Sequence, residues 1–252
     1  MESLDAATAI AAPLGSVGAA FYFSPEASAR AEEIGIDVVS LYAAGRGGVL
    51  GELTPQEVDE EFFFFKPGMI GGLVAAGRAS AEPEAILAAH LASVDDYARS
   101  TFGGLDNATL TEFDAAASAV LAAAPTGSWA LADGYRAAAK AADPAAAAYL
   151  QAVILREVRG GVHRDAVVAA GLTGAVACQF DQGDGYYRLH GFGDADRVEE
   201  TPEVIAAKGA AEQATNEQMA ALLSVLDDDG RTALLVGADA MLAAVASPVP
   251  VA

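Results

Sequence analysis

Basic residues are scarce in this chain. Only 14 Lys plus Arg stand against 35 Asp plus Glu in 252 residues, a formal charge of -21. Duplex nucleic acid draws most of its affinity from cations that neutralise phosphates, so a surface of this sign disfavours DNA as a partner. Cysteine is scarcer still: Cys178 stands alone, which excludes an internal disulfide and any multi-cysteine metal site. The three histidines, His90, His163 and His190, are far apart and lack the short spacing of a metal-binding helix, so no metal is expected. Asp227-Asp228-Asp229-Gly230 has too few ligands for a calcium loop. No apolar run reaches the roughly 18–20 residues that cross a bilayer. The opening Met1-Glu2-Ser3-Leu4-Asp5 is acidic where a secretory signal is basic. The expectation is a cytoplasmic protein with no membrane partner.

Catalytic signatures are also sparse. There is no G-x-S-x-G elbow, and neither Gly45-Arg46-Gly47-Gly48 nor Gly191-Phe192-Gly193 follows a clear strand, as a dinucleotide loop must. No cofactor is expected.

What the chain does contain is alanine and repeated helix starts. Ser24-Pro25-Glu26 places a capping hydroxyl, a first-turn proline and an acid in order. Thr54-Pro55-Gln56-Glu57 adds a carboxylate at the capping-box position, Glu82-Pro83-Glu84 opens a helix through Tyr97, and Asn107 or Thr109 caps the next. Further helices are expected from Pro25 to Ile34, Ile36 to Ala44, Trp129 to Ala142, Asp143 to Glu157, His163 to Ala170, Thr173 to Phe180 and onward from Thr201. Tyr186-Tyr187-Arg188-Leu189, between two glycine-containing turns, is the best strand candidate. The tail Ser247-Pro248-Val249-Pro250 reads as extended. The predicted fold is mainly α: two packed helical halves, 1–124 and 125–252, joined near Pro125 to Ser128, with room for one small β-hairpin.

The scarce cations are not spread evenly. Arg156, Arg159 and Arg164 fall within ten residues of one another, together with His163 and around the pair Gly160-Gly161. Read as a glycine turn before a helix start, this stretch presents free amides beside Arg159 and His163, a place for a carboxylate or phosphate. The cluster is too small for a duplex footprint. A second concentration is Phe62-Phe63-Phe64-Phe65, expected on the helix opened by Thr54. Four consecutive helical positions face all sides, so the run must be buried or line a cavity.

Several pieces together resemble an uncharacterised, mainly actinobacterial family labelled helix-turn-helix or MarR-like. The likeness is carried by Phe21-Tyr22-Phe23-Ser24-Pro25-Glu26, by Leu41-Tyr42-Ala43-Ala44-Gly45-Arg46, by Leu155-Arg156-Glu157-Val158-Arg159-Gly160-Gly161-Val162-His163 and by Ala169-Ala170-Gly171-Leu172, in the family's order. The resemblance implies a winged helix after about Phe180 and a DNA-binding ancestry. Here that stretch carries Asp181, Asp184, Asp194, Asp196, Glu199, Glu200 and Glu203 against Arg188 and Arg197, with Lys208 just beyond. Phosphates would repel such a reading head, so the winged helix reads as degenerate.

Three functional expectations follow. The leading one is a small-molecule ligand, apolar or aromatic with one acidic end, bound between the halves by Arg159, Gly160 and His163 with Tyr22, Tyr42, Arg46, Phe63 and Phe64. Such a protein is a sensor, a carrier or a sequestering protein. The second is a MarR-like, ligand-responsive regulator acting as a homodimer. The third is an enzyme of specialised metabolism in which His163 and Glu157 form an acid–base pair across the glycine turn.

Overall fold

The computed structural model describes residues 1–180 and 183–246; the expected tail and residues 181–182 of the expected turn lie outside them. All regular structure among the described residues is helical. The helices are α1 (Ser3–Ala19), α2 (Pro25–Glu33), α3 (Val38–Ser40), α4 (Arg46–Gly48), α5 (Pro55–Glu61), α6 (Met69–Ser80), α7 (Pro83–Phe102) and α8 (Asn107–Ala123). They continue as α9 (Ala130–Arg136), α10 (Pro144–Ala169), α11 (Gly174–Gln179), α12 (Asp184–Leu189), α13 (Pro202–Leu223) and α14 (Asp228–Ala246).

The expected starts are built as the sequence implies. Ser24 accepts from the Ala27 amide with Pro25 behind it, and Thr54 and Glu57 complete a capping box. At α8 the cap is Asp106 and not Asn107 or Thr109: its carboxylate accepts from the Thr109 amide, which already lies inside the helix.

Helix α10 is the axis of the molecule. It packs on α1, α7, α8, α9 and α13, and one core draws on both sides of Pro125–Ser128. From Ala145 to Leu155 every α10 residue is buried, which its alanines permit by letting neighbouring helices approach closely. Tyr149 sits in the middle of that stretch. Its hydroxyl donates to the Val17 carbonyl at 3.0 Å and accepts from the Phe21 amide at 3.2 Å, which fixes the turn between α1 and α2.

Three expectations about local structure are corrected. The Gly160-Gly161 turn does not exist: α10 runs unbroken through it, so the amides there belong to the helix ladder and offer no helix-start anion site. Gly161 is glycine for packing, because a Cβ there would overlap the Trp129 ring. Tyr186 to Leu189 is helical, not a strand; it forms most of α12, and Tyr187 packs with Cys178 and Phe192 in a small core of its own. The helix expected to stop at Ala44 runs on through Gly45 and ends at Gly48. A π-helical turn, Leu41–Gly45, joins α3 to α4 as one rod, and Gly45 is small because a Cβ would strike the His90 ring.

The phenylalanine run is displaced by one step from expectation. Helix α5 ends at Glu61, and Phe62 to Phe65 form the turn beyond it. Phe62 is buried and the other three are partly buried. The turn docks onto α12, where the Lys66 amide donates to the His190 carbonyl at 2.8 Å and Phe65 lies 4.3 Å from the His190 ring.

The glycine pair separates packing from helix propensity. Gly160→Ala, whose methyl meets open space, should raise stability by about 0.5–1 kcal/mol. Gly161→Ala should lower it by roughly 1–3 kcal/mol through the clash with Trp129. Urea denaturation of the two variants measures both signs.

Candidate functional site

The mid-section of α10 changes character at Arg156. Glu157 is buried, with 3% of its side chain exposed, and its carboxylate is held from three sides. Arg46 Nη2 donates to Oε2 at 2.7 Å, Arg156 Nη1 donates to Oε1 at 2.7 Å, and the Tyr22 hydroxyl donates to Oε1 at 3.1 Å. Tyr22 reaches this point because Tyr149 fixes the turn before it. Arg46 comes from the π-helical rod, where its guanidinium lies 4.6 Å from the Phe62 ring and donates to the Tyr42 hydroxyl at 3.3 Å. Gly18 on α1 makes room for the Arg156 stem, which a Cβ would strike.

Burial alone would raise the Glu157 carboxyl, but Arg46 and Arg156, with hydrogen bonds from Arg46 and Tyr22, outweigh it and hold the group below the usual carboxylate range. Behind the cluster lies His90, whose Nε2 is 2.7 Å from the Tyr135 hydroxyl. Burial first, and the Arg46 charge second, lower its pKa from 6.5 to about 3, so it is neutral in the folded protein at ordinary pH. The cluster therefore contains two guanidinium groups and one carboxylate.

Two cavities open onto it. The larger, about 710 Å³, is bounded by α1, α10 and α13, with Arg156, Arg159, His163, Lys208 and Glu212 on its walls. The smaller, about 110 Å³, is walled by Tyr42, Phe62 to Phe65, Trp129 and Tyr186, with Arg156, Arg164 and Glu61. Arg46, Phe64, Arg156, Glu157, Gly160 and Tyr186 border both. Arg159 pairs with Glu212 at 2.5 Å and Arg164 with Glu61 at 2.9 Å. Buried Arg46 Nε and Arg159 Nε have no hydrogen-bond partner among the described residues. Among the described residues, Arg46, Arg156, Arg159, Arg164 and Lys208 face Glu61, Glu157 and Glu212, an excess of two positive charges inside a protein of charge -21.

The structure gathers Arg46, Glu157, Gly160 and Phe64 at the junction. It sets Tyr42 and Phe63 on the smaller cavity and Arg159 and His163 on the larger, with Tyr22 behind Glu157. His163 and Glu157 are six residues apart on one continuous helix, about 9 Å along its axis and on different faces. The hydroxyl of Thr215 lies 2.9 Å from His163 Nδ1, and the carboxylate close to that nitrogen is Glu212, at 3.7 Å. The ring stacks on Phe64 at 5.6 Å.

Arg156, Trp129, Arg164, Lys208 and Glu212 are cavity residues that the candidate set lacked. A continuous-helix reading of 155–164 would have found two of them, because Arg156, Gly160 and Arg164 recur every four residues and so share a face. Trp129, Lys208 and Glu212 arrive by tertiary packing alone.

The helix-turn-helix family matches over residues 7–197, most of the chain, and the chain belongs to that family. No curated protein and no solved structure matches it. Helices α11 and α12 are short and pack on each other, and the cations there are already engaged: Arg188 bonds Asp184 and Asp194, each at 2.8 Å, and Arg197 pairs with the same two carboxylates. Among the described residues, no helix is long and apolar enough to cross a membrane.

The buried charges make stability acid-sensitive. Between pH 6.5 and about 3 the unfolded chain protonates at His90 while the folded chain does not, so stability should fall as pH drops through that window, by up to ~1.4 kcal/mol per pH unit. Glu157 adds stability that is present above its unfolded pKa and lost as pH falls through its lowered folded value. Urea titrations from pH 7 to 4 read this slope, and His90→Gln should flatten its upper part. Glu157→Gln strands Arg46 in the interior and should cost roughly 3–5 kcal/mol at neutral pH.

Proposed function

We propose that this helix-turn-helix family member binds a small organic anion with an apolar or aromatic body in the Arg156 cleft, as a sensor, carrier or sequestering protein. One observation carries the reading: the chain's scarce cations converge on two adjoining cavities, the smaller with aromatic walls, where the carboxylates of the described residues do not balance them. Arg156 shares its one carboxylate with Arg46, so an incoming acid is drawn to the half-satisfied pair. A volume of about 710 Å³ suits a drug-sized molecule, and this larger cavity sets a few convergent charges among alanine and leucine side chains with Phe64 and Tyr186, while the aromatic walls belong to the smaller one beside it.

A second reading, a ligand-responsive MarR-like regulator, draws its support from the helix-turn-helix family match, which is compatible with a regulator of transcription. The paired arginines around α12 weigh against it, since cations held by Asp184 and Asp194 have little charge left for phosphates.

Thermal-shift and calorimetric titration against aromatic and fatty carboxylates tests the first reading. Stabilisation by at least one class is expected, with Arg156→Ala or Arg159→Ala weakening it about tenfold, near 1.4 kcal/mol. A panel without any stabilisation, or affinities untouched by both variants, would rule the site out. For the second reading, a symmetric dimer retaining DNA in a salt-sensitive way would favour a regulator; the expected result is no retention of genomic fragments at low salt.

A further inference from the structure

The two cavities meet at a sill formed by α10 residues. Arg156 and Gly160 are one turn apart on the same helix face, and both border each cavity. A Cβ added at Gly160 would meet nothing within 4 Å, whereas one at Gly161 would strike Trp129. Gly161 is explained by packing; Gly160 is not. A glycine in mid-helix is unfavourable relative to alanine, and here its missing side chain leaves the sill between the chambers open.

The chambers differ in what they can hold. The smaller, about 110 Å³, is ringed by Trp129, Tyr186 and the phenylalanine turn; since a single benzene ring takes up a cavity of ~150 Å³, this chamber has room for one ring at most, and only with its edge toward the sill. Its Arg164 is matched by Glu61. The larger chamber holds the less compensated cations. Lys208 bonds the Phe180 carbonyl and has no carboxylate partner among the described residues, and Arg156 reaches this side as well.

The geometry points to a bipartite site for an arylalkanoate, with Gly160 as the residue that sets its length. One flat ring occupies the smaller chamber, the chain crosses the sill over Gly160, and the carboxylate lies in the larger chamber toward Arg156 and Lys208. This assignment rests on the organic-anion reading above and goes further in naming the ligand's shape and its selector.

The test uses the full chain and calorimetric titration with a series from benzoate to 6-phenylhexanoate. Wild-type affinity should rise with chain length. Gly160→Leu fills the sill and should weaken 6-phenylhexanoate about tenfold or more while changing benzoate, which fits one chamber alone, less than about threefold. If the leucine variant fails to fold, Gly160→Ala carries the test, with a smaller loss in the same order. Affinity independent of chain length, or equal losses for short and long members, overturns the bipartite assignment while leaving the anion site standing. Wild-type protein that binds no member of the series overturns both.

Discussion

Everything in the cleft depends on one buried carboxylate. Glu157 is held by Arg46, Arg156 and Tyr22 at hydrogen-bond distance, deep beside the core. Burying an ion is expensive unless its partners are close and its lone pairs are used, and here they are. One carboxylate nevertheless neutralises only one of two guanidinium groups. The remainder cannot be dispersed, because Arg46 is enclosed and stacked against Phe62 while the Arg156 stem is confined by Gly18. The surplus charge is therefore directed toward the two cavities that border the cluster. An excess of cation in the interior of a strongly acidic protein is a fixed electrostatic feature, and the low-dielectric walls strengthen it relative to a surface patch.

The geometry of that feature follows from the continuity of α10. A break at Gly160-Gly161 would have turned Arg159 and His163 toward a helix start and left Arg156 on another element. The unbroken helix instead stacks Arg156, Gly160 and Arg164 along one line facing the aromatic turn, with Arg159 and His163 rotated toward α13. The two faces of one helix thus serve two adjoining chambers. Trp129 packs on Gly161 and fills the space its missing side chain leaves.

Family membership and local chemistry pull apart in the last third of the chain. The helix-turn-helix family extends through residue 197, yet the arginines near α12 are bound to carboxylates of the same short segment. A side chain already paired within its own turn loses little by staying there and gains little by meeting a phosphate.

Much of this protein was legible in its residues. Helix content, the caps at Ser24, Thr54, Asp143 and Thr201, the cation cluster at 156–164 and the need to bury or enclose Phe62 to Phe65 are local properties, fixed by hydrogen-bond geometry and side-chain spacing. The glycines misled. Gly45 and Gly160-Gly161 lie in helix interiors, and at Gly45 and Gly161 the cause is a ring from a distant element, His90 or Trp129, occupying the space of a Cβ. Tyr186 to Leu189 has the composition of a strand but no partner strand among the described residues, so the backbone satisfies itself as a helix turn. The chain alone determines which residues are cationic and which segments coil; only packing decides that Arg46, Glu157 and Trp129, more than 25 residues from one another, enclose the same hollow, because burial and charge pairing are properties of neighbours in space rather than in sequence.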